Sequence, residues 1–252
     1  MFTFFICFIA GIGAGLGTGF AGMSAAAVIS PMLITFLDLP AYEAVGIALA
    51  SDVLASAISA YTYGKNKNLD IRNGIVMMAA VLLFTLVGSF IASLVPNTTM
   101  GNFSVFMTLL LGIKFIVKPV MTTKESMKTV SGQKRIIQSI VSGIIVGFIC
   151  GFIGAGGGMM MLLLLTGVLG YELKTAVGTS VFIMAFTGAV SHFAIGGMPD
   201  IACLIFCVAS TLLWARIAAK FANKASAATL NRATGIVLTV LGIAIIGVNY
   251  LK

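Results

Sequence analysis

The first charged side chain in this chain is Asp38, and no charge occurs between Arg72 and Lys114. Apolar runs of this length constrain the fold more than any motif does, because about 20 apolar residues in a helix cross the ~30 Å of bilayer hydrocarbon. Charged residues make up 9% of the 252 residues and cluster between the runs, while hydrophobic residues reach 60%. Soluble domains carry roughly 25% charged residues. The chain therefore reads as an integral membrane protein, and a mean hydropathy of +1.13 agrees. Helices satisfy their own backbone polar groups in lipid, whereas the strands of a barrel would alternate apolar and polar residues. The class expected is all-α, a polytopic helical membrane protein.

Several soluble readings fall away on the same grounds. The amino terminus, MFTFFICFIAGIGAG, has no basic stretch before its apolar run, and the apolar character continues to Leu37, so it reads as mature protein and not as a secretory signal. The 15 Lys and Arg against 7 Asp and Glu lie in short loops beside apolar runs. That is the pattern of a positive-inside membrane protein, and no nucleic-acid partner is expected. Cys7, Cys150, Cys203 and Cys207 all fall inside apolar runs, where cysteine acts as a small hydrophobe, and no CxxC metal site is visible. The 14 methionines are soft enough to suggest copper(I), but they are scattered without a repeated MxxM pattern and read as apolar filler. No metal and no cofactor is expected.

The chain repeats itself. A shift of 132 residues matches Gly11 with Gly143, Gly15 with Gly147, Gly19 with Gly151, Phe20 with Phe152 and Gly22 with Gly154. The same shift matches Ala44-Val45-Gly46 with Ala176-Val177-Gly178, Ser59 with Ser191 and Gly64 with Gly196. A shift of 130 then carries Asp70-Ile71 onto Asp200-Ile201 and Gly112-Ile113 onto Gly242-Ile243. Two copies of one unit follow, residues 1–113 and 137–252, joined by a basic linker at 114–136. Each copy has three clear spans, at about 42–63, 73–95 and 102–120 and again at about 174–195, 201–221 and 232–251. The leading segments, 1–37 and 137–170, are too long for one pass at ~1.5 Å per residue. Each holds a glycine cluster, Gly11 to Gly22 or Gly151 to Gly158, and is expected to break there into two short passes or a re-entrant hairpin.

The basic residues choose this arrangement. If the second leading segment goes in and comes back, fourteen of the 15 bases fall on one side and only Lys252 on the other. The basic loops 64–72, 114–136 and 216–232 are then cytoplasmic. An odd number of crossings per copy gives the two copies opposite orientations, the inverted-repeat plan of secondary transporters, in which discontinuous helices form the binding site.

Few residues remain to carry chemistry. Asp52, in GIALASDVLASAI, sits near the middle of an apolar span, where an ionisable group costs at least ~2.5 kcal/mol and usually faces a bundle interior or a water-filled path. It is a candidate for proton coupling, against the simpler reading of a packed carboxyl bonded to hydroxyls, of which only Ser56 shares its helix face. The 132-residue shift sets Met184 at its equivalent, so its role belongs to one half. His192, the single histidine, is the second proton-coupling candidate. Arg216 beside Trp214 reads as snorkelling to the interface, and Glu43 and Glu172 as carboxylates complementing helix starts. Gly22-Met23-Ser24 and Gly178-Thr179-Ser180 are similar to the GxS core of intramembrane serine proteases, so a membrane hydrolase using Ser24 or Ser180 with His192 is the alternative reading. Small residues produce GxS often in membrane helices, and no catalytic set is expected. Gly154-Ala155-Gly156-Gly157-Gly158 is not a nucleotide loop, having neither a preceding strand nor a following Lys-Ser or Lys-Thr. Glycine turns at helix starts can instead hold a small anion through backbone N–H groups.

These residues carry a resemblance. GFICGFIGAGGGMMMLLLL followed by KTAVGTSVFIMAFTGAVSHF resembles the TauE/SafE sulfite exporter family, also called the sulfonate-uptake permease family, whose halves read G-x-G-G-G and A-x-G-T-S. The second half keeps Gly156-Gly157-Gly158 and Ala176-Val177-Gly178-Thr179-Ser180. The first keeps Ala44-Val45-Gly46 and Pro31 but has Ser24-Ala25-Ala26 and Ile47-Ala48 instead of the triple glycine and Thr-Ser. The resemblance covers nearly the whole chain and implies a bacterial inner-membrane permease for sulfite, sulfonates or related organic anions. The mechanism expected is alternating access in which Gly22, Met23, Ser24, Gly154 to Gly158, Thr179 and Ser180 hold the anion while Asp52 or His192 couples its movement to protons. The partners expected are a small anion, protons and the lipid bilayer, with the oligomeric state, a homodimer included, left open.

Overall fold

The computed structural model describes residues 2–92, 109–110, 113–120, 122–123, 125, 127, 132–153, 157–195 and 200–250. Its helices are α1 (Phe2–Ala21), α2 (Ala26–Leu37), α3 (Ala41–Lys65), α4 (Ile71–Ala92), α5 (Gly132–Ile153), α6 (Gly157–Gly167), α7 (Leu173–Ile195), α8 (Ile201–Lys224) and α9 (Ala227–Tyr250). Among the described residues there is no strand. Six helices, α1, α3, α4, α5, α8 and α9, are long and apolar enough to cross a membrane. The polytopic helical class is therefore as expected. Residues 102–108 and 111–112 of the first repeat's span at 102–120 lie outside the described residues, as do Gly154, Ala155 and Gly156.

Both leading segments break, but not into two short passes. Each is a full-length helix followed by a half-length one: 20 residues in α1 and 12 in α2, then 22 in α5 and 11 in α6. At ~1.5 Å per residue, α2 and α6 reach only about 16–18 Å, roughly half the hydrocarbon. The glycines expected to break the first segment mostly do something else. Gly11, Gly15 and Gly19 lie inside α1 on one face, where α8 crosses against them. A Cβ on Gly11 would come within 2.5 Å of Ser210 Cβ, and one on Gly15 within 2.6 Å of the Thr211 carbonyl oxygen. Gly143 and Gly147 do the same on α5, where a Cβ would meet the carbonyl oxygens of Met77 at 2.7 Å and Val81 at 2.5 Å on α4. Small residues at four-residue spacing let two membrane helices approach backbone to backbone. Only Gly22, with a φ of +62°, is a breaking residue in the first cluster.

The resulting packing crosses between halves. α1 lies along α8, α4 along α5, and α3 along α7 and α8. The outside of the bundle is apolar: Phe2, Phe5, Leu83, Phe90, Ile201, Ile205 and Ile243 are exposed, as lipid-facing side chains are. The polar residues turn inward, with Thr18, Ser24, Ser51, Asp52, Ser56, Thr179 and Ser180 all buried.

Candidate functional site

The break between α1 and α2 exposes backbone groups that lipid cannot satisfy, and the surrounding side chains satisfy them one by one. Thr18, one turn before the end of α1, donates its hydroxyl to the Met23 carbonyl at 2.9 Å. Asp52 does the larger part. It lies halfway along α3 with no exposed surface and reaches across to the start of α2. Its Oδ1 accepts from the Ala25 N–H at 3.0 Å and from the Ser56 hydroxyl at 3.2 Å, and its Oδ2 accepts from the Ser24 hydroxyl at 2.7 Å. The Ser24 oxygen in turn accepts from the Ala26 N–H at 3.3 Å. A carboxylate from a neighbouring helix thus caps α2, with charge where the helix dipole favours it.

The second break is brought against the first. Gly158, in the first turn of α6, packs on the Gly22 carbonyl oxygen, on Met23 Cα and on the Ser24 nitrogen, so closely that a Cβ there would overlap the Gly22 oxygen. Ser180 of α7 joins the two: its hydroxyl donates to the Gly22 carbonyl at 3.0 Å and lies 3.4 Å from the Gly158 carbonyl. Both half-length helices therefore start at one buried place. Their chemistry differs there. α6 has no acidic residue in its first turn, and Met184, which the repeat aligns with Asp52, is buried with the Thr187 hydroxyl 3.7 Å from its sulfur.

Of the residues singled out in the sequence, Gly22, Met23, Ser24, Asp52, Gly157, Gly158 and Ser180 come together at this junction or pack directly beside it. Thr179 turns the other way. Its oxygen accepts from the Asp70 N–H at 3.2 Å, at the beginning of α4. Adjacent residues on a helix face about 100° apart, so Thr179 and Ser180 reach different neighbours. His192 lies on the last turns of α7 with its side chain outside the described residues, as are Gly154, Ala155 and Gly156. The hydroxyls of Ser24 and Ser180 donate to a carboxylate and to backbone carbonyls.

Residues not singled out close one end of the bundle. Tyr63 donates to the Gly19 carbonyl at 2.8 Å, tying α3 to α1. Asn68 Nδ2 donates to Asn223 Oδ1 at 2.6 Å, and Lys174 Nζ to the Asn223 carbonyl at 3.0 Å. Tyr171 donates to Asp70 Oδ2 at 2.6 Å, and its ring lies 5.5 Å from the Arg135 guanidinium. Burial, with the Asp70 carboxylate adding to it, raises the Tyr171 pKa above the ordinary tyrosine value, so the hydroxyl remains a donor. Asn231 exchanges hydrogen bonds with the Val120 backbone at 2.7 and 2.9 Å. The three basic loops thus meet at this end. At the other, Glu43 Oε1 accepts from the Asp200 N–H. Asp70 and Asp200, aligned in the repeat, cap α4 and α8: Asp70 accepts from Asn73 N at 3.1 Å and Asp200 from Ala202 N at 2.8 Å. An Asp-Ile pair before each span was the available sign of those caps.

The chain was compared with known proteins. The family model described as sulfite exporter TauE/SafE matches residues 7–245. Two proteins of Bacillus subtilis (strain 168) are similar along most of their length. The probable membrane transporter protein YdhB is 21% identical over 212 residues, 83% of this chain and 86% of its own. The probable membrane transporter protein YunE is 24% identical over 219 residues, 77% of this chain and 80% of its own. No solved structure matches. A family match over nearly the whole length, on a bundle of membrane-length helices with apolar exteriors, makes this chain a membrane protein of the TauE/SafE sulfite exporter family.

Proposed function

We propose that the protein is a secondary transporter carrying a small sulfur-containing or organic anion, such as sulfite or a sulfonate, by proton-coupled alternating access across the bacterial inner membrane. One observation carries this reading: two half-length helices start at the same buried place, and among the described residues a carboxylate sits on the start of α2 alone. Helix starts in a low-dielectric interior attract anions. At α2 the Asp52 carboxylate already takes that position. At α6 the start at Gly157 and Gly158 carries no acidic side chain, and the Ser180 hydroxyl lies beside it. The transported anion belongs there, next to Asp52.

The proximity gives the coupling its logic. Two negative groups side by side in a low-dielectric site repel strongly, so the anion enters when Asp52 takes up a proton. The proton and the anion then cross together. Asp52 is the coupling residue in this scheme, and Ser180 with the Gly157-Gly158 turn holds the anion. The crossing of α1 onto α8 and of α4 onto α5 supports the inverted-repeat reading, since the two contacts exchange under the 132-residue shift. The meeting of the three basic loops at one end supports their common, cytoplasmic side.

The test is a thermal-shift screen of the purified chain against sulfite, thiosulfate, alkanesulfonates and carboxylates, followed by uptake into proteoliposomes. A ligand at 100 times its Kd adds about 2.7 kcal/mol to the stability of the folded state. Stabilisation by a sulfur oxyanion, with saturable and pH-dependent uptake, is expected. If only carboxylates stabilise the protein, the substrate class is wrong. If Asp52→Asn carries the anion with unchanged pH dependence, the proton coupling is wrong.

A further inference from the structure

A second polar place lies outside the junction of the breaks. Between the starts of α4 and α5 there is a cavity of about 520 Å³ lined by Arg72, Asn73, Gly132, Gln133, Arg135 and Ile136. Arg135 is held in place: one guanidinium nitrogen donates to the Met127 carbonyl, and the group lies over the Tyr171 ring. Its Nε is buried and has no hydrogen-bond partner among the described residues. Arg72 is exposed at the rim. The Asp70 carboxylate, two residues before Arg72, is engaged by Asn73 and Tyr171. The first turn of α5 contains Lys134 and Arg135 and no acidic residue, so cationic side chains crowd the positive end of a helix. Bases there are unfavourable unless an anion joins them.

The rim says where that anion comes from. Ile75 follows Arg72 by three residues and Ile140 follows Ile136 by four, placing each one turn along the same face as the cavity. Both are exposed apolar side chains, with Ile71 and Ile137 exposed beside them. We propose that this cavity binds the phosphate group of an anionic phospholipid, with Arg72 and Arg135 on the phosphate and the acyl chains lying over Ile75 and Ile140. Two guanidinium groups match phosphate oxygens in geometry and charge, and basic cavities between membrane helices suit anionic headgroups. The site does not depend on what the transporter carries.

Native mass spectrometry of the full chain tests this. Wild type, Arg72→Gln and Arg72→Gln/Arg135→Gln are titrated with phosphatidylglycerol or phosphatidylcholine, with and without inorganic phosphate. Wild type is expected to prefer phosphatidylglycerol about tenfold, near 1.4 kcal/mol, and the double variant to lose the preference. The exposed Arg72→Gln, which leaves the Arg135 contacts in place, is expected to weaken it several-fold while folding normally. Competition by inorganic phosphate in wild type alone supports the same phosphate site, filled from solution instead of from lipid. Equal phosphatidylglycerol binding by all three proteins, or equal binding of both lipids by wild type with no effect of phosphate, overturns the proposal.

Discussion

The two helix breaks occupy corresponding places in the repeat and meet in space, yet they are stabilised by different means. The break before α2 relies on side chains: Thr18, Ser24 and Asp52 bond the groups that a broken helix leaves open, and Ser56 donates to Asp52. At α6 closeness prevails, since the absence of a side chain at Gly158 lets its backbone rest on that of Gly22 and Met23. The two breaks thus differ in chemistry at one place: a carboxylate sits on the start of α2, and the described first turn of α6 carries no acidic residue.

The comparison breaks most completely at Gly158. Gly158→Ala places a Cβ against backbone on the opposing turn, and no monodisperse folded protein is expected on size exclusion. Gly46→Ala is the control: a Cβ there meets nothing within 4 Å, and the variant is expected to purify like wild type. Next in size is Asp52→Ala, which strips the acceptor from Ala25 N–H, Ser24 and Ser56. Loss of about 3–5 kcal/mol is expected by reversible unfolding in mixed micelles, with Asp52→Asn recovering part of it. Met184→Asp asks whether the second half tolerates the chemistry of the first. With the Thr187 hydroxyl 3.7 Å from that sulfur in an apolar span, a cost of about 2.5–3.5 kcal/mol is expected, and wild-type stability would mean the halves are interchangeable. Ser180→Ala is the smallest change, about 1 kcal/mol in stability, but it removes the hydroxyl between the breaks and is expected to raise the KM for the anion several-fold.

The fold class, the broken leading segments and Asp52 were legible because lipid makes charge and length decisive. A carboxylate in the middle of an apolar span has few explanations, and an uncharged stretch of 37 residues is too long for one pass. The glycines were read only in part. Gly11, Gly15, Gly19, Gly143 and Gly147 look the same in sequence as Gly22, because glycine serves both close packing and chain reversal, and only the partner helix decides between them. Thr179 and Ser180 share a motif but reach different neighbours, Asp70 and Gly22, because a helix turns adjacent residues apart. Tyr63, Asn68 and Asn223 gave no sign of their importance. They are ordinary polar residues at helix ends, and their pairing is set by contacts up to 155 residues apart in the chain.

The glycine face of α1 has a consequence for the making of the protein. Its partner is α8, and the Ser210 hydroxyl that reaches the Phe8 carbonyl is 202 residues further along the chain. At ~5–20 residues per second, α1 waits about 10–40 s on the ribosome's timescale before that partner exists. Through that interval a helix with a bare, close-packing face resides in the bilayer among other newly made helices with similar faces. A nascent chain halted before Ser210 is therefore expected to be the species most exposed to capture by the wrong helix.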